Sequence, residues 1–352
     1  MRRLIGALLI ALVTTSVGVA VAAPPAAAAL PDAHAFVLWG GAATVPSGTW
    51  PPATTVAAGP SGVYTIRFPG QAAKGGVVHV TAINTGPRFC QAVKWGPSGS
   101  DEIVVVLCSQ PGGVLAPTAF SAFFESSSGP AGPINGEFGY VHYNEASGAL
   151  LDQYNSAGAL NTVTPTPAVG VYEVKLPGLS TAGPIDGSLQ VTAVNSTPAR
   201  CKVRDWTSNP GGQLAHVACF TSTGVPFKTS FTLTYQYNQS LWGAGWPPRY
   251  FGYLWFRPPV GPPPTNFNSQ LGFNVNTLSG AGLGLSLVQF PSIGVLPDNV
   301  QVSSYGAGTE FCNLLYPWTH VGTTLVARDV ACYNTGGARA NAGFLISANS
   351  NN

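Results

Sequence analysis

VHVTAINTGPRFCQAVKW, at residues 78–95, returns as LQVTAVNSTPARCKVRDW at 189–206 and as VQVSSYGAGTEFCNLLYPW at 300–318. The first cysteines of the copies, Cys90, Cys201 and Cys312, recur every 111 residues, and a second cysteine follows each at Cys108, Cys219 and Cys332. A solenoid repeat runs to about 20–50 residues, so this period is too long for one and matches a small domain instead. The copies therefore decide the architecture: three consecutive lengths of chain with one fold.

Within each copy the residues alternate. Val78 and Val80, Leu189 and Val191, and Val300 and Val302 are apolar. His79 and Thr81, Gln190 and Thr192, and Gln301 and Ser303 fall between and after them. Period two marks a strand with one face on a core, so the polar set, His79 included, is expected to face outward. Phe120, Phe231 and Phe344 open further alternating runs. Another strand ends in proline at residues 64–69, 172–177 and 286–291; the third copy has lost the leading tyrosine and carries Ser286. Proline donates no ladder hydrogen bond and marks a strand end or an edge. An aromatic strand at 35–39, 138–141 and 251–254 has no copy after the Phe344 run, so each unit is read as starting with it.

The units are then 33–128, 136–240 and 250–352, with six or seven strands each and no helical periodicity. This predicts an all-β chain of three tandem antiparallel β-sandwich units, immunoglobulin-like or jelly-roll-like, each with one internal disulfide. The alternative is one closed body with threefold pseudo-symmetry. The linkers at 126–136 and 239–248 are short, rich in Gly, Pro and Ser, and permit either arrangement.

Residues 1–29 read as a secretory signal peptide: Arg2 and Arg3, an apolar stretch, then A-x-A cleavage choices at 20–22 or 27–29. Six cysteines behind an export signal read as three disulfides, and the repeat selects Cys90–Cys108, Cys201–Cys219 and Cys312–Cys332. Each closes a strand, a polar turn and a return strand, worth about 3 kcal/mol in the chain-entropy picture. Metal sites need tighter cysteine pairs. Charged residues are only 8% of the chain against about 25% in ordinary soluble domains. With a net charge of +2, there is no electrostatic case for nucleic acid or an anionic membrane. No stretch after the leader has the roughly 20 apolar residues of a membrane span.

Chemistry is harder to find. His34, His79, His142, His216 and His320 occupy unrelated repeat positions, and no carboxylate recurs in all three units. Asp101-Glu102 is expected in a solvated turn, and no G-x-S-x-G elbow precedes a helix. The expectation is no catalytic residue, no metal and no cofactor. Trp95, Trp206 and Trp318 recur and are expected in the core or over the disulfides. Trp50, Trp242 and Trp246 do not recur and lie in Gly/Pro-rich loops, which makes them candidate ligand-contact aromatics.

Gly62-Val63-Tyr64 and Gly170-Val171-Tyr172 open a G-x-Y-x-V/I-x-F/L-P-G run; V-x-V-T-A, C-x₄-W, a second cysteine and a closing Phe strand follow. This series resembles a class of exported, actinobacterial-type proteins with such units singly or in tandem. The resemblance covers nearly all of the chain beyond the leader and implies no catalytic residues. Unit three departs from it at Ser286, at Ser303-Ser304 and at the extra residue before Trp318. The expected function is a secreted, non-catalytic binding or structural module acting on cell wall, polysaccharide or another exported protein. The rival is a secreted hydrolase whose site is unique to one unit or lies in a cleft between units.

Overall fold

The computed structural model describes residues 32–128, 136–179, 185–243, 249–258 and 263–351. The expected signal peptide lies outside them. The described residues form strands and one short 3₁₀ turn, with no α-helix. No helix among them is long and apolar enough to cross a membrane.

Unit one supplies β1 (Ala33–Trp39), β2 (Thr55–Ala58), β3 (Val63–Phe68), β4 (Val77–Ile83), β5 (Phe89–Ser98), β6 (Asp101–Ser109) and β7 (Ala119–Ser126). Unit two supplies β8 (Glu137–Asn144), β9 (Ala149–Asn155), β10 (Thr162–Pro165), β11 (Val171–Pro177), β12 (Ser188–Val194), β13 (Ala199–Asn209), β14 (Gly212–Thr221) and β15 (Ser230–Tyr237). Unit three begins with β16 (Phe251–Phe256), β17 (Thr265–Asn268), β18 (Gly272–Phe273), β19 (Thr277–Gly282) and β20 (Leu285–Phe290). It continues with β21 (Asp298–Tyr305), β22 (Phe311–Leu314), β23 (Thr319–Val321), β24 (Thr324–Tyr333) and β25 (Gly343–Ser350).

Each unit is a sandwich of two half-sheets. In unit one β1-β7-β4 faces β2-β3-β6-β5, and units two and three repeat this with β8-β15-β12 over β10-β11-β14-β13 and β16-β25-β21 over β19-β20-β24-β22. Alternation aims the apolar residues inward: Ile66, Val78, Val104, Phe120 and Phe124 fill unit one, Val174, Leu189, Val217 and Phe231 unit two, and Val288, Val300, Val330 and Ile346 unit three. Three disulfides join directly opposite residues of the hairpins: Cys90–Cys108, Cys201–Cys219 and Cys312–Cys332. The recurring glycine ahead of the proline-ended strand lies against the disulfide hairpin. Gly62, Gly170 and Gly284 have φ of 77°, 70° and 62°. A Cβ on them would stand 2.5, 2.7 and 2.7 Å from the carbonyl oxygens of Cys108, Cys219 and Cys332. Only glycine fits there.

No sheet belongs to one unit. The second half-sheet of unit one continues into the first of unit two, that of unit two into unit three, and that of unit three returns to unit one. The joints are parallel and equivalent: Ala92 faces Val194, Val203 faces Tyr305 and Leu314 faces Ile83. The amides of Asn195, Gly306 and Asn84 donate across them to the carbonyls of Ala92, Val203 and Leu314 at 3.0, 2.9 and 2.9 Å. Three sandwich units therefore close into one pseudo-threefold body, not beads on a string.

Closure overturns one expectation. The polar positions of the repeat do not meet water: His79, Gln190 and Gln301 are each 1% exposed, and Thr81, Thr192 and Ser303 are equally buried. The second faces of β4, β12 and β21 turn toward the axis and meet one another. Alternation here separates an apolar core from a polar seam, and both are buried. The seam is a ring of hydrogen bonds. The amides of Val80, Val191 and Val302 donate to the hydroxyls of Thr192, Ser303 and Thr81 at 3.2, 2.8 and 2.8 Å. The hydroxyls reach onward: Thr81 donates to Gln301 Oε1 at 3.0 Å and Ser303 to Gln190 Oε1 at 2.9 Å, and Thr192 Oγ1 pairs with His79 Nδ1 at 3.3 Å. His79 thus stands in for a glutamine, with its Nε2 hydrogen-bonded to Thr234 Oγ1 at 2.7 Å. Burial holds its pKa down at about 3, so the ring is neutral.

The residue after each first cysteine clasps the next unit. Gln91 Nε2 donates to the carbonyls of Asn195 and Thr197 at 2.6 and 3.0 Å. Lys202 Nζ donates to those of Gly308 and Glu310 at 3.0 and 3.1 Å, and Asn313 Nδ2 to those of Asn84 and Gly86 at 3.3 and 2.9 Å. Glu125, buried between units, shares its repeat position with Gln236 and Asn349. Burial raises its carboxyl pKa well above the usual range, and its Oε1 accepts the Ser127 hydroxyl.

Candidate functional site

Pseudo-symmetry gives an internal standard against which a site in one unit stands out. Tyr64, Tyr172 and Ser286 occupy one repeat position: they pair with Val106, Val217 and Val330 across equivalent ladders. In units one and two the tyrosine ring plugs the end of the sandwich. Its hydroxyl accepts the backbone N–H of Thr118 at 2.8 Å or of Thr229 at 3.0 Å. In unit three a pocket of about 240 Å³ opens at this place. Its walls are Ser286, Phe256, Leu278, Leu285, Ala342 and the half-cystine Cys332, with Asn341 at the exposed rim. Gly284 forms part of the wall, and its amide donates to Asn341 Oδ1 at 2.9 Å. The lining is largely apolar with a few backbone polar groups, the composition of a small-ligand site.

A second cavity, about 50 Å³, is lined by Thr81, Thr192, Ser303 and the half-cystines Cys90, Cys201 and Cys312, equivalent residues from all three units. It holds little more than a water or two. Arg200 lies against it, its guanidinium 4.7 Å from the Phe311 ring centre and 5.7 Å from that of Phe89. Burial lowers the Arg200 pKa to about 10, which leaves it charged at neutral pH. This cavity is part of the axial packing.

The loop aromatics fare differently from expectation. Trp242 is 3% exposed; its indole N–H donates to the Ser350 carbonyl at 2.6 Å and its ring stacks on Phe36 at 4.7 Å. Trp50 is half-buried in the same cluster, with Phe36, Phe123 and Leu241, and exchanges two backbone hydrogen bonds with Phe36. Buried Trp242 presents no platform to a sugar ring; with half-buried Trp50 it packs unit one against the chain entering unit three. Trp246 lies outside the described residues. The recurrent tryptophans take structural places. Trp206 and Trp318 are buried, with N–H groups on Gln213 Oε1 at 2.8 Å and Asp298 Oδ1 at 2.7 Å, and half-buried Trp95 donates to the Gly75 carbonyl at 2.8 Å.

The acids and histidines do not converge on a cleft. Asp101 and Glu102 are buried in β6, not solvated. Asp101 accepts the Gly70 N–H at 2.9 Å and the Arg67 Nε–H at 2.6 Å. The Gly70 amide first, then Arg67, holds its carboxyl below the ordinary range. Burial pushes Glu102 up to about 8. Two Asp–His pairs form, Asp205 with His216 at 2.5 Å and Asp298 with His320 at 2.6 Å. The hydrogen bond to Asp298 raises the His320 pKa. Among the described residues no serine, threonine or cysteine side chain hydrogen-bonds to either imidazole, and no three His, Cys, Asp or Glu gather as a metal set.

Comparison of the chain with protein-family models, curated protein sequences and solved structures finds no match. Ser286 is the pocket residue the sequence half showed: the lost tyrosine is visible, but the cavity is also lined by Phe256 and Ala342, which no local pattern connects to it.

Proposed function

We propose that the chain is an exported, non-catalytic extracellular binding module, a closed three-unit body carrying one small-ligand pocket in its third unit. The observation that carries this is Ser286 at the position of Tyr64 and Tyr172, beside a pocket of about 240 Å³. Export is supported by the leader-like residues 1–29 and by three disulfides, which persist in oxidising compartments. The resemblance to exported actinobacterial-type proteins points the same way. A small molecule from the cell envelope or medium fits the pocket better than a polysaccharide chain, because Trp242 is sealed away.

The test is native mass spectrometry of the folded, disulfide-intact protein after incubation with an extract of culture medium and cell-wall fragments. A bound mass lost on Ser286→Tyr supports the reading. Identical spectra for both proteins, with no small molecule retained, would remove it.

A further inference from the structure

The filled counterparts of the unit-three pocket define what it accepts. In unit one the Tyr64 ring lies 5.0 Å from Phe120 and 6.2 Å from Trp39. In unit two the Tyr172 ring lies 5.1 Å from Phe231 and 5.2 Å from Tyr143. In both, the phenol oxygen takes a backbone N–H from the strand leading into β7 or β15.

Unit three keeps the frame and removes the plug. Phe344 stands at the position of Phe120 and Phe231, and Phe256 at that of Trp39 and Tyr143. Ala342 stands where Thr118 and Thr229 donate their N–H groups. Three of the changes shorten side chains: tyrosine becomes serine at 286, tryptophan or tyrosine becomes phenylalanine at 256, and threonine becomes alanine at 342. A core that merely lost a side chain would be expected to refill by larger neighbours, since voids cost packing energy. Here Phe256 and Ala342 are smaller, and although Leu278 and Leu285 are larger than the valines at their positions in units one and two they leave the space open; Phe256, Ser286 and Ala342 each keep 7% of their surface open. A cavity of about 150 Å³ lined by apolar side chains is enough to hold benzene. The 240 Å³ present here holds one ring with a substituent.

We propose that this pocket binds a small phenol, with its ring against Phe256 and its hydroxyl oxygen accepting the Ala342 N–H, as the tyrosines do in the other two units. The inference rests on the reading of the chain as a binding module and names the ligand class of that same site. It is tested by titrating phenol and cyclohexanol into the wild-type protein and Ser286→Tyr, with 4-fluorophenol as a ¹⁹F NMR probe. Retained disulfides and a cooperative thermal transition establish that the variant is folded. Saturable phenol binding, tighter than cyclohexanol and weakened at least about tenfold by Ser286→Tyr, equivalent to about 1.4 kcal/mol, supports the proposal. Phenol bound equally by both proteins would place the ligand elsewhere and overturn it. Cyclohexanol binding that the variant abolishes, without phenol binding, overturns the phenol class but leaves the binding module standing. If neither probe binds the wild type, both readings fall, and this comparison does not depend on the variant folding.

Discussion

Replacing His79 by glutamine tests the axial ring, because the other two units already carry Gln190 and Gln301 there. The wild-type imidazole is buried, is hydrogen-bonded to the hydroxyls of Thr192 and Thr234, and has its pKa lowered by burial from 6.5 to about 3. The unfolded chain therefore takes up a proton on this histidine below about pH 6.5, while the folded chain stays neutral until about pH 3. Stability is lost as the pH falls between those values. At pH 7.5 the linkage is nearly nil, and at pH 5 it amounts to about 2 kcal/mol. Glutamine has no such proton and offers the same acceptor and donor. Urea midpoints for wild type and His79→Gln at pH 7.5 and 5.0 give the comparison. His34, His142 and Glu102 also have shifted pKa values but are common to both proteins and cancel. The variant should gain about 2 kcal/mol on the wild type between the two pH values. A difference that does not change with pH refutes a buried, neutral His79.

Three further outcomes follow from the seams. Trp242→Ala should lower stability by about 3–5 kcal/mol in urea unfolding, the cost of emptying a buried indole site, and leave retention on cell-wall polysaccharide unchanged while the protein is folded. Lys202→Gln should stay within about 1 kcal/mol of wild type because Gln91 does the same clasping in unit one, whereas Lys202→Met should cost about 2 kcal/mol by leaving the Gly308 and Glu310 carbonyls without Nζ; equal midpoints for the two variants would refute the clasp. Cys312→Ala with Cys332→Ala should reduce stability by about 3 kcal/mol, read as a shift in thermal midpoint.

The strands, the hairpins and the cysteine pairing were legible because each depends on residues close in sequence and repeated three times. Val78 with Val80 and Phe120 with Phe124 announce a core face whatever lies beyond it. The fate of the opposite face was not legible. A run such as His79-Val80-Thr81 reads the same whether the polar side meets water or another unit's hydroxyls, since both satisfy a polar group. The recurring polar residue after the first cysteine, Gln91, Lys202 and Asn313, was the available sign that something outside the unit had to be met. Trp242 misled for a related reason: a loop tryptophan looks exposed until Phe36, Phe123 and Ser350, far away in sequence, close over it. Of the candidate site, Ser286 was visible and its pocket was not.

The joint between β22 and β4 has a consequence for how the molecule is made. Asn313 and Asn84, which meet beside it, are separated by 229 residues. The edge of β4 stays bare until β22, two modules later in the chain, supplies its missing neighbour. A circle of three has no spare berth: a chain ending after its second module would expose two raw flanks, and a fourth module would find no gap to enter.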